Sequence, residues 1–271
     1  MWEAATGKEV VTLTAGPVDF LSLTPDTRKI ITVDGRSLRV WDLATGKELH
    51  RRDFPEEFAA SFHFVRGLFL SPDGRRATTA LADGTLLVWE IPPLSRPLAV
   101  DTKGPDAQEA TSWWSELASA DAAKAYAAVW KLIDARDRSV AVLRKNLTPA
   151  AAEDFRKAEQ LLRDLDSFSV RQAAAKELEK MGSAVAPVLR QVLAANPSPE
   201  VRRRLETLLE KCSRGIPSAE VLRRLRCVLV LERIGSPEAR QVLQSMADGA
   251  PAALETQEAR TALERLAKPP K

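Results

Sequence analysis

The feature that most constrains this chain is a passage it spells twice. Phe20-Leu21-Ser22-Leu23-Thr24-Pro25-Asp26 returns as Gly67-Leu68-Phe69-Leu70-Ser71-Pro72-Asp73. Each copy is a short apolar strand closed by a hydroxyl residue, a proline that presets φ, and an aspartate able to accept from the amides beyond it. A second strand follows, at residues 29–33 and 75–81, and then Asp34-Gly35 or Asp83-Gly84, the strongest short hairpin signal. The third strands, Leu38-Arg39-Val40-Trp41-Asp42 and Leu86-Leu87-Val88-Trp89-Glu90, end on a tryptophan and an acid. The spacing is 47 before the Asp-Gly turn and 48 after it. In the first copy the turn Ala44-Thr45-Gly46-Lys47 leads to an outer strand at 48–53. The same turn stands at Ala5-Thr6-Gly7-Lys8, behind Trp2-Glu3 and ahead of residues 10–13.

A repeat of this length with four short strands fits one blade of a radial β-propeller. Over residues 1–95 the chain resembles the WD-repeat family. The resemblance implies four-stranded antiparallel blades with Trp41 and Trp89 packed between strands. The family's Gly-His dipeptide is replaced by Gly16-Pro17 in one copy and His63-Phe64 in the other. Propellers close with about 4–8 blades. About two blades leave open strand edges, so self-association through those edges, or membership of a longer propeller, is expected.

Composition narrows the partners. The chain has 271 residues, 45% apolar and 28% charged, with a formal net charge of +3. Residues 1–100 hold 12 Lys+Arg against 13 Asp+Glu, and the remainder 28 against 24, so the slight basicity sits in the second part. That is no electrostatic footprint for nucleic acid. No apolar run approaches the roughly 20 residues needed to cross a membrane. Met1-Trp2-Glu3-Ala4 lacks the basic stretch and apolar core of a secretory signal. With only two cysteines, Cys212 and Cys227, a disulfide framework is excluded and a reducing, cytoplasmic setting is expected.

Ile91-Pro92-Pro93-Leu94-Ser95-Arg96-Pro97 ends the strand pattern, and Gly104-Pro105 continues a linker over 96–106. From 107 to 271, Ala, Leu, Glu and Arg dominate and the pattern is helical. Asp121 is placed to cap a helix carrying Tyr126, Val129, Trp130 and Ile133. Thr148-Pro149 reads as the start of a helix burying Phe155, Leu161, Leu162 and Leu165. Val170, Ala174, Leu178 and Met181 share a face, with Gly182 as the stop. Ser169-Val170-Arg171 recurs as Pro199-Glu200-Val201-Arg202 after 31 residues, and Leu178-Glu179-Lys180-Met181-Gly182-Ser183 recurs as Leu231-Glu232-Arg233-Ile234-Gly235-Ser236 after 53. An apolar helix follows each Gly-Ser, at 185–193 and 238–246. Paired helices at such spacing resemble HEAT-type α-solenoid units, in which neighbours must stack to bury their apolar faces. Trp113-Trp114, residues 121–130, 164–182 and 200–209 also resemble the helical C-terminal region of large bacterial WD-repeat proteins. That resemblance spans most of 107–267 and implies no catalytic chemistry.

The expected fold is therefore multidomain β + α: incomplete propeller blades over 1–95, a linker over 96–106, and a HEAT-like helical domain over 107–271. Individual motifs add little chemistry. The two Thr-Gly-Lys-Glu strings lack the leading glycine and the Ser or Thr of a phosphate loop, and read as turns. His50 and His63 have no acid, Ser or Cys at triad or metal spacing, so they read as strand-face residues. Cys212 and Cys227 read as small buried apolar groups, with a redox pair as the alternative. Trp113, Trp114, Tyr126 and Trp130 read as a packing plug rather than a ligand pocket. The clusters Arg202-Arg203-Arg204 and Arg223-Arg224-Arg226 are the one candidate docking face, with Arg202, Arg203, Arg223 and Arg224 as its residues. Glu200, Glu206, Glu210 and Glu220 lie within pairing reach, which favours solvated helix faces. No catalytic residue, cofactor or metal ligand is expected. The expected function is a non-enzymatic scaffold for an unidentified protein partner. The alternatives are a regulatory tail for an enzyme encoded upstream, and weak nucleic-acid backbone binding by the arginines.

Overall fold

The computed structural model describes residues 1–56, 65–92, 107–151, 156–158, 160–162, 171–181, 185–213 and 217–268. It divides into two compact units, Met1–Trp2 with Glu9–Thr102, and Glu3–Lys8 with Lys103–Lys271. The architecture is mixed β and α, with the described strands within residues 2–90 and the described helices of eight or more residues within 107–267.

A two-residue ribbon, β1 (Trp2–Glu3) and β2 (Lys8–Glu9), opens the chain. Next comes a four-stranded antiparallel meander of β3 (Phe20–Leu23), β4 (Lys29–Asp34), β5 (Ser37–Asp42) and β6 (Glu48–Asp53). A three-stranded meander follows, of β7 (Val65–Leu70), β8 (Arg76–Leu81) and β9 (Leu86–Glu90). The segment that would correspond to β6 in this second sheet, at 96–101, lies outside the described residues, and so does His63, ahead of β7.

The two sheets match atom by atom at their turns. Thr24 Oγ1 donates to Asp26 Oδ1 at 2.6 Å, and Ser71 Oγ donates to Asp73 Oδ1 at the same distance. The Asp26 carboxylate takes the Arg28 amide at 3.0 Å, and Asp73 takes the Arg75 amide at 3.0 Å. The amides of Lys29 and Arg76 close both turns on the same hydroxyls, at 3.0 and 2.9 Å. The Ser71 hydroxyl and the Arg75 amide hold the Asp73 carboxyl below its ordinary value. Each third-strand tryptophan also finds the same partner: the Trp41 indole donates to Thr32 Oγ1 at 2.8 Å and the Trp89 indole to Thr79 Oγ1 at 2.9 Å.

Directly paired residues of an antiparallel sheet share a face. In the first sheet, Ser22, Ile31, Val33, Leu38 and Val40 form face A, while Leu21, Leu23, Ile30, Thr32 and Trp41 form face B. In the second sheet the equivalents are Phe69, Thr78, Ala80, Leu86 and Val88 on face A, and Leu68, Leu70, Ala77, Thr79 and Trp89 on face B. The core of this unit consists of face A of the first sheet and face B of the second: Ile31, Val33, Leu38 and Val40 with Ala77 and Leu81, flanked by Leu68, Leu70, Leu87 and Trp89. Phe54 closes one side, edge-on to Trp89 at 5.0 Å between ring centroids. Lys29 supplies a polar tie in the same packing, its Nζ donating to the Pro92 carbonyl at 2.8 Å, although burial pushes that ammonium below its usual range.

The described helices are α1 (Ala107–Glu116), α2 (Ala122–Ala135), α3 (Asp137–Asn146), α4 (Arg171–Met181), α5 (Ala186–Ala194), α6 (Pro199–Ser213), α7 (Ala219–Ile234), α8 (Pro237–Ala247) and α9 (Leu254–Ala267). Residues 156–158 and 160–162 are helical as well. Asp121 caps α2 as expected, accepting from the amides of Ala123 and Lys124. Arg136, at φ 51°, separates α2 from α3, a break with no glycine or proline to announce it. Thr148 and Pro149 stand in non-helical chain that continues to residue 151, so they do not open the next helix directly. Phe155, Leu165, Ser169, Val170 and Gly182 lie outside the described residues. Gly235, at φ 63°, ends α7 in the left-handed cap, and Ser236 with Pro237 starts α8.

Two apolar cores hold these helices. One gathers Leu117, Val129, Leu132, Val140 and Leu143 with Cys227, Leu231, Leu243 and Ala259, from α1–α3 and α7–α9. The other gathers Ala158, Leu162, Leu178, Leu189, Leu205 and Cys212, around α4–α6. No helix among the described residues is long and apolar enough to cross a membrane.

Candidate functional site

The two copies of face A have opposite environments. Leu38 and Val40 are each 1% exposed, whereas Leu86 and Val88, at the equivalent positions, are each 63% exposed. Phe69 is 63% exposed beside them, its ring lying over the place a Cβ on Gly67 would take, 2.9 Å away. The unlike copies of face B behave in the converse way. Leu68 and Leu70 pack on the core, while Leu21 and Leu23 are 68% and 48% exposed. Leu86 and Val88 on β9, with Phe69 on β7 across Thr78 of β8, place three large apolar side chains on one exposed sheet face, unlike singly scattered surface leucines. Arg76 and Glu90 edge it with an exposed ion pair, 3.0 Å from Nε to Oε1.

The two arginine clusters lie on different helices, α6 and α7. Arg202 and Arg203 are exposed on α6, against the second helical core, and the Arg202 guanidinium donates to Asn196 Oδ1. Arg204 pairs with Glu200 on its own helix. On α7, Arg223 pairs with Glu220 at 2.6 Å and lies over the Trp114 ring, 4.9 Å from its centroid. Arg224 pairs with Glu255 at 3.0 Å. Their charges are matched inside the helical unit, which leaves Arg202 and Arg203 as the more available pair of the four.

Arg226 has a role that its neighbours in sequence obscure. It is buried, and its Nε and Nη2 donate to Oε1 and Oε2 of Glu3 at 2.8 and 2.9 Å. Its Nη1 donates to the carbonyls of Leu117 and Ser119 at 2.6 and 3.0 Å. Burial alone would raise the Glu3 carboxyl, but Arg226, the Thr6 hydroxyl and Lys8 outweigh it and hold that carboxyl below its ordinary value. Lys8 Nζ adds a bond to the Ala120 carbonyl at 2.8 Å. A buried cation with matched acceptors is structural, and the signal that could have found it is the missing i,i+4 acid for Arg226 on α7.

The remaining candidates find structural places. Cys212 and Cys227 are buried in different apolar cores and are not joined in a disulfide, and burial drives the Cys227 thiol far above its usual value. His50 is a half-buried residue of β6 opposite Val40. Gly7 and Gly46 adopt φ 64° and 68° in matching turns, each donating its amide to the backbone carbonyl of the residue behind the tryptophan, Glu3 or Asp42, at 2.8 Å. A Cβ on Gly46 would come within 2.6 Å of Val11 Cγ2, so this Thr-Gly-Lys string is a packed turn. Tyr126 and Trp130 meet edge to face at 6.0 Å, and Trp113 and Trp114 pack on the first helical core.

A depression of about 240 Å³ lies between α3 and α8, bordered by Arg144, Leu147, Gln241 and Met246. Arg144 spends its guanidinium there on Gln241 Oε1 at 3.0 Å. The described residues contain no group of three or more His, Cys, Asp or Glu placed to hold a metal ion. No family model, curated protein or solved structure matches the chain.

Proposed function

We propose that this chain is a docking module, in which two consecutive blades of WD-repeat type precede HEAT-like helical repeats and the apolar face of the second blade receives a protein partner. The observation that carries the reading is the contrast between Leu38 and Val40, buried, and Leu86 and Val88, exposed at equivalent positions. Covering Leu86, Val88 and Phe69 would remove apolar surface from water at about 25 cal/mol per Å². Blades and stacked helices both present broad surfaces and supply no reaction by themselves, so the reading is a scaffold and not an enzyme.

Affinity capture from the native host tests it, with wild-type chain compared against the double variant Leu86→Lys with Val88→Lys. Proteins recovered by the wild type and lost by the variant support docking at this face. An unchanged set contradicts it.

A further inference from the structure

Face A of one sheet already has a known cover in this molecule, namely face B of the next. The second sheet repeats the first down to its turn bonds and its tryptophan–threonine pair. Its own face A, with Phe69, Leu86 and Val88, is exposed among the described residues. A face B with leucines also free is present in the same chain, at Leu21 and Leu23, the counterparts of Leu68 and Leu70. We propose that the occupant of the Leu86–Val88 face is a second copy of this chain, docked head to tail through Leu21 and Leu23 of its first sheet. This rests on the docking reading above and names the partner.

The polar register agrees. Lys29, on the first sheet, donates to the Pro92 carbonyl across the internal packing. Its equivalent in the second sheet is Arg76, a long exposed cation, and the equivalent of Pro92 is Ala44. Head-to-tail docking therefore places Arg76 over the Ala44 carbonyl of the second copy. Arg39 Nη1 donates to the Ala15 carbonyl, and Trp41 is already buried, so face B of the first sheet is partly covered. The contact between copies then reaches β3 and leaves Trp41 alone. It is smaller than the internal packing, so assembly is concentration-dependent. A face-A-on-face-B contact is heterologous and propagates, giving a ring where the rotation closes and a chain where it does not. At two blades per copy, rings of about two to four copies would hold the 4–8 blades of a closed propeller.

Sedimentation velocity of the full chain, from sub-micromolar up to about 100 µM, tests this, since that range fills contacts with a Kd near 10 µM. Three samples are compared: the wild type, a face-A variant (Leu86→Lys with Val88→Lys), and a face-B variant (Leu21→Lys with Leu23→Lys). All four positions are exposed, so circular dichroism spectra should match. The expected result is a wild-type mass that rises to two or more copies, while each variant alone stays monomeric. An equimolar mixture of the two variants should stop at a dimer, because only one intact pair of faces remains. A wild type monomeric throughout overturns self-docking. If capture still depends on Leu86 and Val88, the docking reading stands and a different protein is its partner. A face-B variant that still dimerises alone overturns the head-to-tail geometry in favour of symmetric pairing.

Discussion

The indole nitrogen of Trp41 lies 2.8 Å from the hydroxyl of Thr32, and Trp89 stands in the same relation to Thr79 at 2.9 Å. A repeat that reproduces a side-chain bond across neighbouring strands is a repeat of structure as well as of letters. The environments differ: Trp41 is buried, whereas Trp89 is half-buried. Replacing Thr32 with Val strands a buried indole N–H and should cost about 1–3 kcal/mol. Thr79→Val should cost less, because water can reach the Trp89 side. Urea denaturation of both variants checks the order.

Thr27 sits at φ 52° in the first turn, where the second copy has Gly74 at φ 65°. A β-branched residue in the left-handed region is strained by about 1–2 kcal/mol, partly offset in glycine by greater freedom when unfolded. Thr27→Gly should therefore raise stability by about 0.5 kcal/mol. Gly74→Ala should lower it by more, since its Cβ would also stand 2.9 Å from Pro25 Cδ. Thermal melts of the two variants should shift in opposite directions.

The Glu3–Arg226 pair predicts an acid sensitivity. The folded carboxyl titrates below its ordinary value of 4.5. Its contribution is therefore complete above the unfolded value and lost as pH falls through the lower folded one. Glu3→Gln should destabilise the chain at pH 7 by about 2 kcal/mol, less than for a fully buried pair because Glu3 is 19% exposed. The gap between wild type and variant should narrow from about pH 5 downward. A gap constant across that range would mean that the ion pair contributes nothing.

How far the letters led depends on which residues are considered. The turns, the Asp-Gly hairpins and the strands within 20–53 and 65–90 followed from proline, glycine and alternation, because local sterics decide them, whereas residues 10–13, read as the counterpart of the outer strand at 48–53, form no strand. The capping of α2 by Asp121 and the Gly235-Ser236 junction were legible for the same reason. The break at Arg136 was not, since no local signal distinguishes it from helix interior. Arg226 read as part of a basic cluster, because its partner Glu3 lies 223 positions away. Leu86 and Val88 read as ordinary strand residues. Which copy of a repeated face is covered depends on what stacks against it, and no window of sequence around either leucine holds that information.

The central claim is that one face, written twice, is interior in the first sheet and free in the second. The most direct measurement is the unfolding free energy of Leu38→Ala beside Leu86→Ala, taken at a concentration where the chain is monomeric. Leu38→Ala should cost about 2–5 kcal/mol, as buried leucines do, and Leu86→Ala less than about 0.5 kcal/mol. Equal losses at the two positions would contradict the account.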